Sequence, residues 1–178
     1  MKYISSLKLQ DNTIAPESSD DSVFDDYAEG ASRLFDLLCE VDDNFFAPAG
    51  SSATEETLFG SGVDMMRLPP FVAGSIESVT IDGDALDAAD YRVKDEFLIY
   101  KDGTEFDVDS DIVVTAKWGF ASVPAAVQTV VQELANYLWR NKDPMFAKIS
   151  DVEIETALSP TTNAIIKKFR DKYSRSAF

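Results

Sequence analysis

Val123, Val127, Val130, Val131, Leu134 and Leu138 recur at three- and four-residue intervals. On a helix that spacing gathers them on one apolar stripe, the expected centre of the core. The stretch around them, Trp118 to Pro144 (WGFASVPAAVQTVVQELANYLWRNKDP), reads as a strand end, a turn, a long helix over about 122–142 and a stop. Pro124 suits the first turn, where the N–H it lacks would have no helical partner, and Pro144 pushes Asp143 out of helical geometry. Trp139 and Tyr137 flank the stripe and fit either the core or a contact between subunits.

A second helical spacing precedes this one. Phe24, Tyr27, Ala28, Ala31, Leu34, Phe35 and Leu38 predict a first long helix over about 20–41. Ser22 is its expected N-cap, and Asp25 stands in the first turn, where a carboxylate meets the positive end of the helix dipole. Ahead of it lie a short apolar cluster, Tyr3, Ile4, Leu7 and Leu9, and a polar loop. Between the two helices the apolar period shortens. Strands are expected near Glu55 to Phe59, from Met65 to Pro70, from Ile76 to Ile81, from Tyr91 to Val93, from Phe97 to Tyr100 and from Ile112 to Trp118, with Asp82-Gly83 as a hairpin turn. Strands grouped between helices make the expected fold class α+β. A C-terminal extension over about 145–178 ends in a short amphipathic helix opened by Ser159 and Pro160, with Ile165, Ile166, Phe169 and Tyr173 apolar.

Length and charge narrow the function. The 178 residues suit one domain that buries roughly 70% of its unfolded surface. They carry 32 acidic and 16 basic residues and no histidine, a net charge of −16. Such a charge repels a polyanion, so no sequence-specific nucleic-acid binding is expected. The C-terminal segment is the exception: residues 161–178 hold five basic residues and one acid, which suits a partner contact or a solvated tail. The single cysteine, Cys39, leaves no intrachain disulfide, fits a reducing compartment and reads as a small core residue. The opening MKYISSLKLQDNTI holds no apolar run of the length a signal peptide needs, and no stretch approaches the roughly 18 apolar residues of a membrane span, so neither is expected.

Without histidine there is no imidazole base, no His-activated nucleophile and no ordinary zinc site. Asp25-Asp26 and Asp42-Asp43 are sequence neighbours whose side chains diverge, and acid-rich stretches lack the burial that tunes a catalytic carboxyl. Asp107, Asp109 and Asp111 have the D-x-D-x-D spacing of a calcium loop, but Ile112 stands at the glycine position and Trp118 at that of the bidentate acid. Gly60-Ser61-Gly62 lacks the Gly-Lys-Ser/Thr that completes a phosphate loop. No catalytic, cofactor-binding or metal-binding residue is assigned, and a non-enzyme is expected.

Three stretches, in order, resemble the head-tail connector, or adaptor, proteins of tailed bacteriophages. DDSVFDDYAEGASRLFDLLCE is similar to that family's first helix, with its opening acidic pair, Ala31-Ser32, Asp36 and Cys39. RLPPFVAGSIESVTIDGDAL followed by DYRV resembles its proline-marked strand, strand-turn and Asp-Tyr. WGFASVPAAVQTVVQELANYLWRNKDP is similar to its closing strand, Val-Pro helix start and Asn-x-Asp-Pro stop. Together they cover most of residues 20–145. The resemblance implies one connector domain, a small helical bundle with a strand-rich insertion, at about 55–118, between the first and second long helices. It implies a virion structural protein without enzymatic activity or cofactor. Copies would form a ring, dodecameric in the family, between the portal protein and a downstream stopper or tail protein. The ring would assemble in the host cytoplasm and let DNA pass.

In that setting the C-terminal helix is expected to meet the portal, with Ile165, Phe169 and Tyr173 as an apolar anchor and Lys167, Lys168, Arg170 and Lys172 facing an acidic surface. The alternative is that it packs on its own domain. Residues 82–111 hold eleven acids against Arg92, Lys94 and Lys101. Asp107, Asp109 and Asp111 either line a channel, where carboxylates do not hold phosphate, or solvate an outer face. Two further readings stay open: another virion ring component, such as a stopper or tail-completion protein, and a carboxylate-dependent metal enzyme.

Overall fold

Residues 1–5, 21–141 and 158–174 are described in the computed structural model. Their elements follow as helix α1 (Asp21–Leu38), strands β1 (Thr54–Phe59), β2 (Met65–Arg67), β3 (Ser78–Ile81), β4 (Asp84–Ala85), β5 (Tyr91–Lys94), β6 (Phe97–Tyr100) and β7 (Asp111–Ala116), helix α2 (Ala125–Asn141) and helix α3 (Pro160–Tyr173). The fold is α+β, with every one of these strands between α1 and α2, as the hydrophobic pattern predicts. Two compact units result: Met1–Ala47 with Val123–Phe178, which carries the helices, and Pro48–Ser122, which carries the strands.

In the helical unit α1 and α2 pack on each other. Val127, Val130, Val131, Leu134 and Leu138 are fully buried, and so are Phe24, Ala28, Ala31 and Phe35 on α1. Each large apolar side chain so buried contributes roughly 1.5–3 kcal/mol. Trp139 stacks on Phe24 at 5.1 Å and meets Tyr27 edge-on at 5.2 Å, so this ring belongs to the chain's own packing. Ser22, the expected N-cap, lies inside α1, one residue past its start. The stop expected at Asp143-Pro144 lies outside the described residues.

The C-terminus of α1 closes as a Schellman turn. The Val41 N–H donates to the Asp36 carbonyl (3.1 Å), the Glu40 N–H to the Leu37 carbonyl (3.0 Å), and Glu40 is left-handed with φ of 56°. The turn delivers Phe46, fully buried, into an aromatic cluster with Phe35, Phe169 and Tyr173. At α3, Ser159 caps the first turn by accepting the Thr162 N–H, with Pro160 following as the sequence predicts.

The strand unit holds a four-stranded sheet in the order β1-β7-β3-β4 and a three-stranded sheet in the order β2-β6-β5. All ladder pairs are antiparallel. Ile112, Val114 and Ala116 alternate inward from β7 onto Met66, Leu68, Val79, Leu98 and Phe106. Asp82 and Gly83, both with positive φ (51° and 90°), form the tight turn that joins β3 to β4. β7 ends at Ala116 rather than Trp118 because its pairing changes there. The Lys117 carbonyl accepts the Val72 N–H (2.9 Å), Trp118 bridges to Phe71, and its indole donates to the Thr54 carbonyl (2.9 Å). β2 ends at Arg67, ahead of the two prolines that have no N–H for a ladder. Pro48 and Phe120, near the two ends of the unit, form a parallel bridge, and the Ala49 N–H donates to the Phe120 carbonyl (2.7 Å).

Two substitutions test these local arguments. Glu40→Gly relieves a left-handed side chain and is expected to raise stability by about 1 kcal/mol. Gly60→Ala places a β-carbon 1.7 Å from the Asp107 carbonyl oxygen, so it is expected to cost about 1–3 kcal/mol. Urea denaturation of both variants checks the two signs.

Candidate functional surfaces

Among the described residues the most perturbed carboxyl is Asp36, 1% exposed. Its two oxygens lie 2.7 and 2.8 Å from the Tyr3 hydroxyl, and one of them accepts the Asn44 N–H at 2.8 Å. The Tyr3 hydroxyl in turn accepts the Phe46 N–H (3.0 Å), and the Tyr3 N–H donates to Ser32 Oγ (2.8 Å). Burial pushes the Asp36 carboxyl up to about 6, with the Asp43 charge adding to it, while the hydrogen bonds from Tyr3 and Asn44 pull the other way. Burial first, and then Asp36 itself, raise the Tyr3 hydroxyl. Both residues are buried, and their hydrogen bonds fasten the first residues of the chain to α1 and the turn after it.

A second carboxylate joins α2 to α3. Glu133 accepts the Ser159 N–H (2.7 Å), the Ser159 hydroxyl (3.2 Å) and the Thr162 hydroxyl. Burial raises this carboxyl, but the hydrogen bonds from Thr162 and Ser159 outweigh it and hold it below the usual range. A negative group at the start of α3 also suits the helix dipole. Nearby on α2, the buried amide atoms of Gln132 and the Asn136 carbonyl oxygen have no hydrogen-bond partner.

Elsewhere among the described residues the thiol and the open groove assemble no reactive constellation. Cys39 is buried, which pushes its thiol up to about 12, away from the thiolate that reacts. An open groove of about 390 Å³ runs along Val72 to Glu77 and Lys117, with one carboxylate, one amine and no imidazole or thiol in its lining. Among the described residues no group of three or more acids or cysteines is placed to hold a metal ion, and no helix is long and apolar enough to cross a membrane.

The residues singled out for partner contact divide by environment. On α3, Phe169 and Tyr173 are engaged with Phe46, and Tyr173 also with Phe45. Lys167 and Lys168 stand exposed, Lys167 in an ion pair with Asp171 (2.8 Å), whereas Ile165, Arg170 and Lys172 are half-buried. Asp107, Asp109 and Asp111 are all exposed on the segment leading into β7. That segment is firmly held: the Ser110 hydroxyl and the Asp111 N–H both donate to the Asp82 carboxylate at 2.9 Å, and the Asp109 N–H donates to Asp107 at 3.2 Å. Sequence reasoning missed a further feature beside it, the apolar side chain of Phe59 standing in solvent.

No family model and no curated protein matches the sequence. Solved structures do share its fold. One is a chain of the virion of a native gene transfer agent particle, with a TM-score of 0.54, 14% identity and coverage of 94% of this chain and 89% of that one. Another is a chain of the neck of an empty gene transfer agent particle, computed with C6 symmetry, with a TM-score of 0.52, 15% identity and the same coverage of 94% and 89%. At these identities the likeness is one of fold, and it extends over nearly the whole of both chains.

The Asp36 clamp carries a pH dependence with a definite sign. Its carboxyl is raised from 3.8 to about 6, so the folded chain keeps a proton that the unfolded chain releases over that interval. The contribution is full below the unfolded value and is lost as pH rises to about 6. Urea midpoints of Asp36→Asn are expected to change less between these two pH values than those of the wild type. An equal slope would assign the effect to the other acids.

Proposed function

We propose that this chain is a structural component of a phage-like virion: the head-tail connector that forms a ring under the portal, joins capsid to tail and lets DNA pass. The observation that carries the reading is the fold shared over 94% of the chain with components of a gene transfer agent virion and neck. The ordered connector-like motifs support it. A ring of twelve copies, the family's number, is compatible with the sixfold symmetry applied to the neck structure. The net charge of −16 suits a conduit, because phosphate binding grows with each cation presented and here cations are the minority.

The neck likeness also fits a second component of the same region, a stopper or tail-completion protein, and one experiment separates the two. Co-expression with the portal protein of the same genome is expected to give a stable complex in which this chain alone adds a ring of mass to the portal. A chain that ignores the portal and binds a tail protein would be a stopper or tail-completion protein.

A further inference from the structure

Phe59, at the end of β1, is 74% exposed, Val108 57% and Val63 49%. The backbone brings the segments that carry them together. The Gly62 N–H donates to the Phe106 carbonyl (2.7 Å) and the Phe106 N–H to the Val63 carbonyl (2.9 Å). A β-carbon added to Gly62 would stand 3.0 Å from a Val108 methyl, and Phe59 faces Asp111 across the β1-β7 ladder. Apolar side chains left in water on adjoining segments mark a contact, and the exposed carboxylates of Asp64, Asp107 and Asp109 on the same segments make it anionic.

A cationic surface with apolar stems complements it. α3 is the one described helix in which cations outnumber acids: Lys167, Lys168, Arg170 and Lys172 against Asp171. Lys167 and Lys168 lie on its solvent side, while Phe169 is held by the aromatic cluster. An anionic apolar tip and a cationic helix on the same chain are unlike surfaces. A head-to-tail ring requires such a pair, whereas an isologous dimer sets each surface against itself. The geometry points to a contact between copies in which Lys167 and Lys168 of one chain dock on the tip formed by Phe59, Val63 and Val108 of the next. This rests on the ring reading above, and it gives to a neighbouring copy the lysines and acids that the connector resemblance gives to the portal and the channel.

Copies carrying −16 repel at long range, so the contact is weak in dilute solution and is best caught by cross-linking at physiological salt. Full-length Glu105→Cys is mixed with full-length Ala164→Cys and a short bis-maleimide. Both positions are exposed and leave the docking residues intact, and the buried Cys39 stays silent. The mixed pair is expected to cross-link about tenfold faster than Glu105→Cys mixed with Val23→Cys, a control position on α1. Adding K167E and K168E to the Ala164→Cys chain should remove that advantage, and adding D107K and D109K to the Glu105→Cys chain should restore it. Equal rates for the two pairs, or rates indifferent to charge reversal, overturn the proposal. No portal is present, so a failure of the connector reading shows only in the co-expression complex and is distinguishable from a failure here.

Discussion

Every donor that meets the Asp36 carboxyl comes from the chain itself, because the group is sealed from solvent. Leaving such a carboxyl unpaired would cost several kcal/mol, so its two partners are fixed with it. Tyr3 ties the first residues to the flank of α1, and Asn44 ties the turn that follows α1. Through Tyr3, the same group holds the Phe46 N–H and so sets where that ring enters the core. Phe169 and Tyr173 then pack on Phe46, which makes the seat of α3 depend on a carboxyl that touches neither of them.

The contacts of α2 with the two other described helices differ in kind. Its apolar stripe meets α1 through fully buried Val and Leu side chains, which contribute through the apolar area they remove from water. Its polar flank meets α3 through Glu133, and close by Gln132 and Asn136 bury amide atoms without partners.

Helices and strands were legible wherever a single stripe or alternation decided the matter. The valines and leucines of α2 and the period-two run into β7 needed no distant partner to be recognised. What needed one was not legible. The Tyr3–Asp36 bond joins residues 33 apart, and nothing local distinguishes Asp36 from the other acids of α1. Trp118 carries strand propensity, yet leaves the ladder because its indole finds the Thr54 carbonyl 64 residues away. β4 went unseen because two residues carry no period. Phe59 was expected in a strand, but alternation alone does not say which face is covered, so its exposure emerged only from the fold. The lysines of α3 stood out by composition; the apolar residues between them looked equally available until the aromatic cluster claimed Phe169 and Tyr173.

The parallel bridge of Pro48 and Phe120 has a consequence for how such a chain diversifies. The strand unit begins and ends at adjacent points, so the backbone that leaves the helical unit returns close to where it departed. Lengthening or exchanging everything between those points changes the closure entropy only logarithmically. The strand unit is therefore a cassette: evolution, or an engineer, can rewrite its surface while the helical frame keeps its own rules.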